Sequence, residues 1–93
     1  MKAKFLVIVE KGDKNFSAYS PDLPGCIATG KSVEETLAEM RVAIEFHLDG
    51  MIENGEELPL PKTLSSYIKE TDEIAPDDIL TTIEAEIPLL AAA

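Results

Sequence analysis

The chain has 93 residues, enough for one domain and not two, and a formal net charge of −10. Hydrophobic residues make up 45% of it, but a domain of this size buries only about 60–65% of its unfolded surface, so the core is thin. With three Phe, two Tyr and no Trp that core is aliphatic, and the single cysteine excludes an internal disulfide.

The charge is unevenly spread. In residues 1–33 five lysines face three acids, a local balance of +2; in residues 34–93 three cations face fifteen acids, a balance of −12. Such a surface repels nucleic-acid phosphates and steers basic partners towards it. From charge alone, a solvated and solubilising face is the simpler reading. The N-terminus carries no signal-peptide pattern, and Phe5 to Val9 is far too short an apolar run to span a membrane. The expected setting is a reducing cytoplasm.

Taken in order, Lys2 to Glu10 reads as a central strand, β-branched and apolar on both faces at its middle. Lys11 to Asn15 is turn chemistry, and Phe16 to Ser20 returns as an antiparallel partner. Tyr19-Ser20-Pro21-Asp22-Leu23-Pro24-Gly25-Cys26 follows. Pro21 and Pro24 fix φ and push Ser20 and Leu23 towards extended backbone, while Gly25 permits a left-handed turn or a close approach. The expectation is a stiff loop holding Asp22 and an exposed Leu23 at its tip, shaped for recognition. Cys26 to Thr29 makes a short third strand.

Ser32 and Glu35 have the spacing of a capping box that opens a helix. Val33, Leu37, Met40, Ile44, Leu48 and Met51 form its apolar stripe, and Asn54-Gly55 stops it. Gly50 lies within the helix, for which close packing is the one reason to suggest. Val42 and Phe46, with Ala38 a turn earlier, fall opposite the stripe on an otherwise charged face. Scattered exposed apolar residues are ordinary; the sharper expectation is that a partner or a second copy covers them.

Glu56 to Pro61 is an extended, proline-spaced connector. Thr63 to Glu70 fits a short helix, Thr71 to Asp78 an acidic loop, and Ile79 to Ile87 a half-buried strand. Residues 1–88 thus form one domain, with 89–93 a short tail. The order β-β-β-α-(short α)-β gives an α+β fold, one sheet with helices on one face. The uncovered sheet face and the sheet edges are the natural places for self-association.

No catalytic constellation emerges. His47 sits at the edge of the helix stripe, Cys26 reads as a small buried hydrophobe, and Ser17, Ser20 and Ser32 lack a base to activate them. No thiolate zinc cage, phosphate-binding glycine pattern or converging set of metal-binding acids is present, so no cofactor or metal is expected. Glu84 and Glu86 share one face of the last strand, which reads as solvated.

These residues together carry a resemblance. The segment Tyr19 to Cys26, then Ile27-Ala28-Thr29-Gly30 and Ser32 to Leu37, is similar to the HicB antitoxin family, as are Ala43 to Gly50 and Gly55 to Pro61. The likeness covers nearly the whole chain and is specific in combination. It implies a domain similar to a partly degraded ribonuclease H fold, without catalysis, that binds and occludes a small basic mRNA-cleaving toxin, HicA. It also implies a homo-oligomer, dimer or tetramer. The chain ends about where the family's C-terminal DNA-binding segment would begin, so a short form without direct nucleic-acid or membrane binding is expected. Tyr19, Asp22 and Leu23 are the expected toxin contacts, Pro21, Pro24 and Gly25 the shapers of the loop, and Val42 and Phe46 a second candidate surface. The alternatives are an orphan, self-associating regulatory module with no toxin partner, and, ranked lower, a residual nuclease.

Overall fold

Strand β1 (Lys2–Lys11) takes an inner position in a four-stranded sheet with β2 (Phe16–Tyr19), β3 (Ile27–Gly30) and β4 (Ile79–Glu86), in the order β3-β2-β1-β4. The structure is a computed structural model describing residues 2–59 and 75–87. The apolar centre of β1 explains its place: Phe5, Leu6, Val7, Ile8 and Val9 are all buried. Phe5, Val7 and Val9 join the core beneath the helix, while Leu6 and Ile8 alternate to the opposite face and are buried there too. The sheet face expected to be uncovered is therefore not bare along β1.

A turn in which Gly12 N–H donates to the Asn15 carbonyl at 2.7 Å leads into β2 (Phe16–Tyr19). β2 lies antiparallel to β1, with Ile8 opposite Tyr19 and Val9 opposite Ala18. β3 (Ile27–Gly30) adds antiparallel to β2, with Ala18 opposite Ala28 and Tyr19 opposite Ile27. Ser20 and Cys26, expected at strand ends, belong to the loop, because their backbone groups are committed to its turns. β4 (Ile79–Glu86) flanks β1 on its other side, with Phe5 opposite Ile83 and Ala3 opposite Ala85. That pairing is antiparallel, so the handedness rule for parallel crossovers does not operate.

Helix α1 (Val33–Glu53) begins as the capping box predicts: Glu35 N–H donates to Ser32 Oγ at 3.0 Å. It ends in a Schellman motif, with Glu56 N–H donating to the Met51 carbonyl and Gly55 N–H to that of Ile52. Gly55 supplies the required positive φ of 70°. Met40, Ile44 and Leu48 are fully buried on the sheet, with Leu37 and Met51 packed at the margins. Each such side chain contributes about 1.5–3 kcal/mol by burial.

Two glycine assignments change. A Cβ added at Gly50 would meet nothing within 4 Å, so close packing does not account for it, and nothing in the structure explains it. The close approach occurs instead at Gly30, where the sheet meets the first turn of α1. The short helix over 63–70 and the tail at 89–93 lie outside the described residues.

Candidate protein-interaction surface

The proline loop is two β-turns in series. Leu23 N–H donates to the Ser20 carbonyl at 3.1 Å, and Cys26 N–H to the Leu23 carbonyl at 3.0 Å. Each turn has proline at its second position, where a fixed φ suits it. Gly25 occupies the third position of the second turn with φ 85°, the left-handed value of a type II turn. Pro21, Pro24 and Gly25 thus occupy the positions from which a loop's shape is set.

Leu23 is a correction. Expected at an exposed tip, it is 1% exposed and belongs to the main core. It closes one turn and opens the next, so the chain reverses on both sides of it and its side chain is carried inward. The exposed part of the loop is Pro24 and Gly25, with Tyr19, Pro21 and Asp22 half-buried. Ser20 is buried and its hydroxyl has no hydrogen-bond partner among the described residues. Cys26 is buried too, and desolvation raises its thiol pKa.

Val42 and Phe46 are exposed, at 62% and 80%, outside the core. Ile27, 68% exposed on the neighbouring strand, went unremarked as a surface residue in the sequence. These side chains border one groove of about 330 Å³ between β3 and α1, lined by Ile27, Ala28 and Thr29 on the strand and Glu39, Val42 and Phe46 on the helix. The missed signal was alternation. Ala28 faces the helix, so Ile27 falls on the other face at the last strand of the sheet.

Glu34, Glu35, Glu39, Glu45, Asp49 and Glu53 are all exposed along α1. The helix's one cation, Arg41, donates from Nη1 to the Glu84 carbonyl at 3.0 Å. The outward face of α1 is therefore strongly acidic. Among the described residues no three His, Cys, Asp or Glu side chains gather as a metal site. No described helix is long and apolar enough to cross a membrane.

Among the described residues, an antiparallel sheet under an acidic helix, with a turn-on-turn loop and an apolar groove, makes a small α+β domain. A family model described as "HicB_like antitoxin of bacterial toxin-antitoxin system" matches residues 5–90. The chain belongs to that family. It is 31% identical over 81 residues to an uncharacterized 14.9 kDa protein from the rep-hol intergenic region of Haemophilus phage HP1, covering 87% of this chain and 59% of that one. The chain thus spans little more than half of that relative. Its fold resembles the N-terminal domain of the Burkholderia pseudomallei antitoxin HicB, with a TM-score of 0.77 at 21% identity, over 90% of this chain and 99% of that one. A second solved structure, a HicA3 and HicB3 toxin-antitoxin complex, matches with a TM-score of 0.65 at 24% identity, over 91% of this chain and 98% of that one.

Proposed function

We propose that this chain is the antitoxin of a HicAB-type pair, acting by binding a small basic mRNA-cleaving toxin and covering its catalytic surface. Membership of the HicB-like family supports the antitoxin role, and the acidic face of α1 is the observation that supports a basic partner. Six exposed acids on one helix, in a chain of net charge −10, create a field that accelerates encounter with a cationic protein. The chain contributes by occlusion and not by chemistry of its own. Tyr19 and Asp22 are the loop contacts in this reading, and Leu23 supports them from below as an anchor. Val42 and Phe46 offer a second surface.

The test pairs the purified chain with the small basic protein encoded beside it. The expected result is a stoichiometric complex that suppresses RNA cleavage by that protein and weakens as salt rises. Reversing Glu45 and Asp49 to lysine should slow association by roughly tenfold. Unimpaired RNA cleavage in the presence of excess chain would overturn the proposal.

A further inference from the structure

Gly50 is the residue of α1 for which the chain itself supplies no reason. A glycine within a helix lowers its stability relative to alanine, and a Cβ here would meet nothing within 4 Å beyond its own stretch of helix. It continues a ridge. Ala38, Val42, Phe46 and Gly50 follow one another at steps of four residues, the spacing at which side chains line up along a helix surface. Ala38 is exposed, Val42 and Phe46 are the large apolar side chains that α1 leaves outside the core, and Gly50 is half-buried. The ridge runs about 18 Å along the axis, roughly three turns.

Charge of one sign surrounds it. At about 100° per residue, Glu35, Glu39, Glu45, Asp49 and Glu53 fall within about 60° of Val42 around the helix, and all five are exposed. Arg41 lies on the side towards β4, where its Nη1 donates to the Glu84 carbonyl at 3.0 Å. The layout is an apolar centre inside an acidic rim. In a protein contact of that kind the centre holds the partner, while the rim steers it and fixes its register.

We propose that this ridge receives a basic, amphipathic helix of the toxin, and that the two helices cross at Gly50. The inference rests on the toxin reading above and adds where and how the partner is held. Charge selects the occupant. A second copy would set five carboxylates against five, whereas lysines and arginines beside the apolar stripe of a basic helix would meet them. A helix suits the site because a ridge at steps of four packs into the grooves of another helix. The side chains at the crossing set how near the two axes come, and glycine lets the backbones approach most closely. Phe46, one turn away, then inserts beside the crossing, with the groove between α1 and β3 as a recess for the partner's apolar side chains.

Binding kinetics of the purified chain with the small basic protein encoded beside it test this, together with thermal melting of each free variant. Gly50→Ala should raise the melting temperature of the free chain and yet weaken the complex, and Gly50→Leu should weaken it further. A glycine with a purely structural role would not move stability and affinity in opposite directions. Phe46→Ala should leave the melting temperature unchanged and raise the Kd at least about tenfold, through faster dissociation at an unaltered association rate. Binding as tight as wild type by both Gly50→Leu and Phe46→Ala would overturn the inference and leave the toxin reading standing. No complex with the wild-type chain would overturn both. Variants that hold the toxin normally but lose a dimer of the chain would give the ridge to a second copy, which also overturns it.

Discussion

A Cβ placed on Gly30 would lie 2.6 Å from the Thr36 hydroxyl oxygen and 2.7 Å from the Thr36 amide nitrogen. Neither atom is free to retreat. Thr36 Oγ1 donates to the Ser32 carbonyl at 2.7 Å, Thr36 N–H donates to the same carbonyl at 3.0 Å, and the residue is fully buried. The end of β3 is thus pressed against the first turn of α1, and only glycine fits. Gly30→Ala should cost about 1–3 kcal/mol in urea unfolding. Gly50→Ala, where the new methyl would meet nothing within 4 Å beyond its own stretch of helix, should gain up to about 1 kcal/mol. Equal effects at the two glycines would refute this account.

Leu23 separates the loop's structural role from its contact role. Leu23→Ala should destabilise the domain by about 2–5 kcal/mol, the range for emptying a buried leucine site. Asp22→Asn, at a half-buried position outside the core, should cost less than Leu23→Ala and be read in toxin affinity. Chemical denaturation of the two variants side by side distinguishes them.

Ser20 presents the opposite case. Among the described residues its hydroxyl is buried without a partner, so the folded state bears a desolvation penalty that no hydrogen bond there offsets. Ser20→Ala keeps the backbone carbonyl that accepts from Leu23 and removes the stranded group. The expected outcome is unchanged or higher stability, by up to about 1 kcal/mol. A melting temperature several degrees lower would mean that the hydroxyl makes a contact in solution.

Cys26 gives a pH dependence with a definite sign. Burial raises its thiol pKa above the ordinary value of 9.0, so the folded chain holds the proton more tightly than the unfolded chain. The stability linked to this group is fully present below the unfolded value and is lost as pH rises through the folded one. Native Cys26 should therefore react slowly with iodoacetamide at pH 8 and quickly in denaturant. Cys26→Ala should flatten the alkaline fall in stability, as pH-dependent unfolding would record.

The order of elements was legible in the residues because each signal is local. The Ser32–Glu35 spacing caps a helix wherever it occurs, Gly55 stops it by taking positive φ, and the apolar centre of β1 demands cover on both faces. Val42 and Phe46 were legible as outward-facing because helical period alone puts them opposite Met40, Ile44 and Leu48. The inward turn of Leu23 was not, since it depends on two reversals in series that aim one side chain at a core built by distant strands. The need for glycine at position 30 arises only when the end of β3 and the start of α1 are brought together. Ile27 became part of a groove only through the order β3-β2-β1-β4, which leaves its strand at an edge beside α1. Local chemistry determined the elements, while strand order and the packing of the helix decided which apolar side chains the fold consumed and which it left open to a partner.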